Sequence, residues 1–153
     1  MKARLAASAA LALGIAIGGS GCAMITYQAT TEKYDASDGV SADVGTLDIR
    51  NILVVSEDGR DGNLVMTVVN TGEDDVTLEV QAVDGNASAE LDIDAGETIS
   101  LGTDQEDPLL LEGIDAEVGS LVPLYFQYDT EEGAEVKVPV LDGRLPEYQD
   151  LVP

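Results

Sequence analysis

From about residue 45 to residue 141, apolar and polar residues alternate in short segments that are separated by Gly, Asn and Asp. Such alternation is typical of strands with one buried face, because successive side chains point to opposite sides of a sheet. The apolar runs between turn residues are also about as long as typical strands, which favours strands over helices. The strands predicted in this way are 47–55, 64–69, 76–83, 89–93, 98–101, 122–128 and 136–140, with 109–111 as a short strand or a loop plug.

The residues between these segments suit chain reversals, since Gly, Asn and Asp tolerate the turn conformations that other residues avoid. The sequence therefore predicts an all-β fold, an immunoglobulin-like antiparallel β-sandwich of about seven or eight strands, with a small β-barrel as the alternative. The chain has one Cys and no Trp, so the disulfide and buried Trp of antibody domains are absent and the core must be aliphatic.

Two irregularities in the pattern have local consequences. Apolar residues at positions 47 and 49 are followed by apolar residues at 52 and 54, and this change of phase predicts a β-bulge near Asn51. Pro139 interrupts the last segment, and proline has no N–H for a ladder hydrogen bond. We therefore expect that strand to lie at an edge, or its missing N–H to point away from the neighbouring strand.

The first 21 residues have a different pattern. Lys2 and Arg4 precede an uncharged apolar run over residues 5–17, and Gly and Ser follow at once. The run is shorter than the ~20 residues that span a bilayer. A positive start, a short apolar run and small residues before a cleavage site together predict a secretory signal peptide.

The signal ends in Gly19-Ser20-Gly21-Cys22, which resembles the lipobox of bacterial lipoproteins, although Leu is commonest where Gly19 stands. The resemblance implies that Cys22 receives a diacylglyceryl group and becomes the first residue of the mature chain. Two acyl chains hold a protein on a membrane essentially permanently. The alternative is an ordinary cleaved signal, or an uncleaved anchor, in which Cys22 is an incidental thiol.

The predicted organisation has four parts. Residues 1–21 are the lipoprotein signal peptide, residues 22–44 a flexible lipid-anchored tether, residues 45–141 the β-sandwich, and residues 142–153 a C-terminal tail. The tether is polar and rich in turn residues, and at its length a flexible chain spans about 25 Å on average.

Charge and composition exclude several function classes. The chain has 30 acidic residues against seven basic ones and no His, for a formal net charge of −23. Without His, most Zn, Cu and haem sites and all His-dependent catalytic triads lose their ligands or base. An acidic chain also repels phosphate, so we expect no nucleic-acid partner. A Ser-Lys dyad would need Lys33 in the tether or Lys137 within a strand, and neither position suits it.

Calcium is the metal whose oxygen ligands the chain possesses. Acidic groups cluster in three turns, but none has the spacing of an EF-hand loop. The favoured interpretation is therefore solvated loop tips, and no metal site is predicted. The three groups are Glu57, Asp58, Asp61 and Asn63; Glu73, Asp74 and Asp75; and Asp92, Asp94 and Glu97.

Four segments carry a family resemblance. The order 47–54, 64–70, 123–128 and 136–140 is similar to small actinobacterial envelope lipoproteins of the LpqE-like group, which is itself distantly similar to periplasmic copper chaperones of the PCuAC type. The resemblance implies a secreted, lipid-anchored β-sandwich. PCuAC-type chaperones hold Cu(I) with His and Met, whereas this chain has only Met24 and Met66 beyond the initiator.

These observations predict a non-enzymatic lipoprotein on the outer face of the cytoplasmic membrane, without a cofactor. Its acidic β-sandwich would act as a scaffold or binding module for an envelope protein, and its membrane contact would be the lipidated Cys22. The alternative is metal handling, either as a copper-chaperone-like protein that uses Met66, Met24 or a partner's ligands, or as a calcium-stabilised adhesin-like domain.

Overall fold

The computed structural model describes residues 2–19 and 35–153. The chain divides into two compact units between residues 34 and 35. The first unit contains α1 (Lys2–Gly19), which coincides with most of the predicted signal peptide, and its apolar side chains up to Ile15 are exposed. Among the residues that the structure describes, no helix combines the length and hydropathy that a membrane-spanning helix needs.

The second unit is built from strands and is all-β, as the alternation predicts. Every predicted strand is present, and 109–111 is a strand rather than a loop plug. The strands are β1 (Val40–Val44), β2 (Leu47–Val55), β3 (Gly62–Asn70), β4 (Val76–Ala82), β5 (Ser88–Ile93), β6 (Thr98–Ser100), β7 (Leu109–Leu111), β8 (Leu121–Gln127) and β9 (Ala134–Leu141), followed by a 3₁₀-helix (Gln149–Leu151).

The strands form two layers that are joined through β9. One layer has the order β5-β4-β8-β9, and the other is built on β2 and β3, with β1 beside β2 and with β6 and β7 beside β3. All pairs are antiparallel except β2 and β9, which pair in parallel over two residues at their ends. Because β9 reaches both layers, the hydrogen-bonded path is nearly closed, and the predicted β-sandwich is confirmed.

The core lies between the layers and is almost entirely aliphatic. Alternate residues of both layers are buried in one cluster, and Phe126, the single Phe of the chain, is fully buried in it. Burial of apolar side chains is worth about 25 cal/mol per Å², so this cluster provides the main stabilisation of a domain without a disulfide. Other fully buried members are Ile49, Ile52, Val54, Leu64, Leu78, Val80, Leu124, Val138 and Val140.

The predicted bulge is present at Asn51. The β2–β3 register shifts between Arg50 and Leu53, and Asn51 has a φ of 52°. The extra residue restores the phase, so that Ile49 and Ile52 both reach the core. The Asn51 side-chain oxygen accepts a hydrogen bond from the Gly39 N–H at 3.1 Å, which fixes the chain as it enters β1.

The domain begins earlier than residue 45. Residues 40–44 were expected in the tether, whereas they form β1 and pair with β2. Ala42 and Val44 are buried in the core, and this burial supplies the free energy that orders the strand. Turn residues around them conceal this short strand in the sequence. The predicted tether residues 22–34 lie outside the described residues.

Pro139 lies on β9 as expected. The N–H of its neighbour Val140 donates to the carbonyl of Ser120 on the β8 side, at 3.0 Å. Backbone groups alternate in direction along a strand, so the nitrogen of Pro139 faces away from β8 and no hydrogen bond of the β8–β9 ladder is lost. The parallel pairing of β9 with β2 begins at the next residue, Val140.

Candidate functional site

The C-terminal residues 142–153 pack against the outer surface of the β2–β3 layer. Leu53, Val55 and Val65 point away from the main core, and Tyr148 covers them in a second, smaller apolar cluster. Tyr148 is only 9% exposed. Leu141, Leu151 and Val152 surround this cluster. We call residues 142–153 the C-terminal strap.

Two hydrogen bonds fix the strap to distant parts of the chain. The Tyr148 hydroxyl donates to the carboxylate of Asp38 at 2.7 Å, and the Asn63 side-chain amide donates to the Leu151 carbonyl at 3.0 Å. Burial, together with the hydrogen bond to the Asp38 carboxylate, raises the pKa of Tyr148 to about 12. The strap thus joins the last residues of the domain to the segment that leads into β1.

A cleft of about 700 Å³ lies beside the strap. Its wall is partly apolar, with Val118, Val140 and Leu145, and it carries the guanidinium of Arg144. That guanidinium already pairs with Asp142, at 3.1 Å. No buried side-chain N or O atom of the described residues lacks a hydrogen-bond partner.

Several carboxylates of the three acidic turns hold backbone groups. Asp61 accepts a hydrogen bond from the Gly113 N–H at 2.9 Å, Asp75 accepts one from the Ala95 N–H at 2.9 Å, and Glu97 accepts one from the Asp94 N–H at 2.8 Å. Carboxylates commonly satisfy free backbone donors in turns in this way. These side chains therefore stabilise the loops that connect the strands.

Asn70 links two of these turns from inside the fold. The residue is 1% exposed, and its amide nitrogen donates to the carbonyls of Asp74 at 2.9 Å and Asp94 at 3.1 Å. Its side-chain oxygen accepts a hydrogen bond from the Gly72 N–H at 2.9 Å. A buried amide with all of these bonds costs little, whereas one without them would be strongly destabilising.

No group of three or more His, Cys, Asp or Glu among the described residues could hold a metal ion. Met66 lies in β3 within the main core and is 1% exposed, as its position in the alternation predicts. A thioether in that position fills space between aliphatic side chains. The described residues therefore do not supply the soft donor set that Cu(I) needs. Cys22 and Met24 lie outside the described residues.

Three of the four basic residues of the domain are paired with carboxylates. Arg50 contacts Asp43 and Asp48, and its pKa is raised, mainly by the hydrogen bond to Asp43. Arg60 pairs with Asp58 at 2.9 Å and Arg144 with Asp142. The fourth, Lys137, is exposed on the outer surface of β9, opposite Pro123 of β8, and no ion pair joins it to another described residue.

The fold has solved counterparts, although no family profile matches the chain and no curated protein matches it. The apo PCuAC domain of PmoF2 aligns with a TM-score of 0.58 at 14% identity, over 69% of this chain and 98% of that domain. The apo PCuAC domain of PmoF1 aligns with a TM-score of 0.52 at 13% identity, over 66% and 99%. The copper-bound PCuAC domain of PmoF2 aligns with a TM-score of 0.50 at 12% identity, over 67% and 98%.

At these identities the likeness is one of fold. It confirms the expected distant similarity to PCuAC-type domains, while the narrower resemblance to LpqE-like lipoproteins stays a prediction.

The sequence pattern did not predict β1 or the packing of the strap. The signal for the strap was a single aromatic residue, Tyr148, flanked by Leu145, Leu151 and Val152 in an otherwise polar tail.

Proposed function

We propose that this chain is an exported lipoprotein, anchored through Cys22 on the outer face of the cytoplasmic membrane. The observation that carries the proposal is the order of features before Cys22: two basic residues, an apolar run and the small residues Gly19, Ser20 and Gly21. The exposed apolar side chains of α1 support it, because an apolar helix of this kind is stabilised in a lipid environment or in a signal-binding groove.

The second part of the proposal is that the acidic β-sandwich acts as a non-enzymatic scaffold or binding module. Its described polar side chains support this role, since several carboxylates of the acidic turns bind backbone N–H groups of the loops and three of its four basic residues are paired with carboxylates. Residues 35–153 contain 29 acidic and four basic residues, a net formal charge of −25. Such a surface attracts basic partners and keeps the domain apart from other acidic molecules.

Replacement of the lipid acceptor tests the anchor. In cells fed a radiolabelled fatty acid, Cys22→Ala should abolish labelling and move the protein out of the membrane fraction, because no other Cys is present. Ser20→Ala keeps a small residue before the cysteine and is the matched control, which should label like the parent. Labelling that persists in Cys22→Ala would refute lipidation at this residue.

Copper handling is the second candidate, and the fold of the PCuAC domains favours it. The donor set of this chain opposes it: there is no His, and the core position of Met66 hides its sulfur. Titration with Cu(I) under reducing conditions decides between the two. Sub-micromolar binding that is lost in a Met24→Leu variant would revive the chaperone role, while a large rise in melting temperature with Ca²⁺ would favour a calcium-stabilised adhesin-like domain.

A further inference from the structure

One exposed surface of the domain is apolar. It is formed by the outward residues between Leu121 and Tyr125 of β8, by Lys137 and Pro139 of β9, and by Val83, whose N–H donates to the Pro123 carbonyl at 3.0 Å. Leu121 is 58% exposed and Val83 is 48% exposed. Leu121 lies opposite Pro139, and Pro123 lies opposite Lys137. We call this set the proline face: Val83, Leu121, Pro123, Tyr125, Lys137 and Pro139.

Leu121, Pro123 and Pro139 have no carboxylate directly opposite them, and the nearest one in register is the exposed Glu135 of β9, which lies opposite Tyr125 at the border of the proline face. The one charged residue of the proline face is Lys137, the only basic residue of the domain that no ion pair joins to another described residue. Contiguous exposed apolar residues on a soluble domain commonly mark an interaction site. Leu121, with Pro123 beside it, is therefore suited to the centre of an interface.

An acidic row adjoins this apolar surface. Glu79 of β4 lies directly opposite Glu90 of β5, and both side chains are exposed. Like charges in directly opposed positions of a sheet repel each other. A shallow depression of about 370 Å³ lies between these strands and is lined by Glu79, Gln81, Ser88 and Glu90. A cation placed there would remove the repulsion.

The two regions lie on the same outer surface. Glu79 pairs in register with Gln127 of β8, six residues from Leu121 along the same strand. At about 3.3 Å per residue, the apolar centre and the acidic row are about 20 Å apart. One partner surface of ordinary interface size can cover both.

We propose that the proline face and the Glu79–Glu90 row form a docking surface for a basic protein, which places an apolar side chain against Leu121 and Pro123 and a Lys or Arg between the two glutamates. The inference rests on the proposed binding-module function and names the chemistry of its partner. Residues 35–153 carry a net formal charge of −25, so a second copy of the chain and anionic lipid would both be repelled, and charge complementarity favours a basic protein.

Site-specific cross-linking of the full chain in its own cells tests the proposal. A photoreactive residue at Leu121 should give one discrete adduct with another protein, whereas the same residue at Thr103, exposed in the acidic loop after β6, should not. The adduct should form equally in a Cys22→Ala background if the chain is still exported, which separates this inference from the lipid anchor. An adduct with lipid, an adduct with a second copy, no adduct, or an adduct at Thr103 alone would each overturn it.

The captured protein is then purified and its Kd measured. Leu121→Ser should weaken binding about tenfold, as expected for a central interface residue. Glu90→Gln should weaken binding at least threefold. Its melting temperature should stay the same or rise, since the substitution removes the repulsion from Glu79. A loss of binding without a loss of melting temperature shows that the variant is still folded. Binding that is insensitive to both substitutions, or that tightens between 50 and 300 mM NaCl, would refute the proposal.

Discussion

We expect the C-terminal strap to contribute to the stability of the domain, because Tyr148 is buried as a core residue is. The Tyr148 side chain covers Leu53, Val55 and Val65 and is held by its hydrogen bond to Asp38. Two substitutions separate these contributions. Tyr148→Phe removes the hydrogen bond alone, and Tyr148→Ala removes the hydrogen bond and the ring.

The size of each effect follows from the surroundings. Asp38 is exposed and regains water when the hydroxyl is lost, so Tyr148→Phe should cost about 1 kcal/mol of the free energy of unfolding. Loss of a buried aromatic ring costs about 3–5 kcal/mol, and a surface strap relaxes more than a central core does, so we expect about 3 kcal/mol for Tyr148→Ala. For a domain of this size, about 1 kcal/mol corresponds to about 4 °C in melting temperature.

The measurement is urea unfolding of the chain from residue 23 onward, together with thermal melting. Leu145→Ala is the control, because Leu145 belongs to the same strap but is 50% exposed; it should change the free energy of unfolding by less than about 0.5 kcal/mol. If Tyr148→Ala costs less than about 1 kcal/mol, or no more than Leu145→Ala, the strap is not part of the core and the reasoning is wrong.

Three further predictions concern charge and backbone conformation. The pKa of Tyr148 is raised from 10.0 to about 12, so the stability that its protonated hydroxyl provides is complete below about pH 10 and is lost as the pH rises toward 12. The free energy of unfolding of the parent should therefore fall more steeply over that range than that of Tyr148→Phe. Parallel pH profiles would contradict this. The melting temperature should rise between 10 and 150 mM NaCl, because screening weakens the repulsion among the 29 carboxylates, and a flat or falling profile would contradict it. In urea unfolding, Asn51→Val should lower the free energy of unfolding by about 2 kcal/mol, because a β-branched residue is strained at a φ of 52°. Asn51→Gly should lower it by less than half of that. Equal losses would show that the backbone conformation at this position does not matter.

The comparison with PCuAC domains separates fold from chemistry. A core of alternating aliphatic residues specifies the sandwich, and that requirement is met here at 14% identity. A soft-metal site needs particular donor side chains at particular positions, and the described residues offer only a thioether buried in the core. The same fold is therefore formed here without a soft-metal donor set among the residues that the structure describes.

The local features of the domain were predictable because they depend on neighbours in the chain. The alternation of apolar residues located seven of the nine strands among the described residues, the run at 109–111 left a strand as one of two possibilities, and the change of phase located the bulge at Asn51. Pro139 was placed correctly because a missing N–H restricts where proline can lie in a sheet. The core position of Met66 followed from the same alternation.

What the tertiary structure decided concerns residues that are far apart in sequence. Val40–Val44 is too short and too polar to be recognised as a strand, and burial of Ala42 and Val44 against the layers orders it. Tyr148 and Asp38 are 110 positions apart, so no local pattern reveals their hydrogen bond. Likewise, Glu79 and Glu90 become neighbours only through strand pairing, which creates the acidic row beside the proline face. Periodicity determines which side of a strand is buried, whereas the pairing of distant strands determines which exposed side chains share a surface.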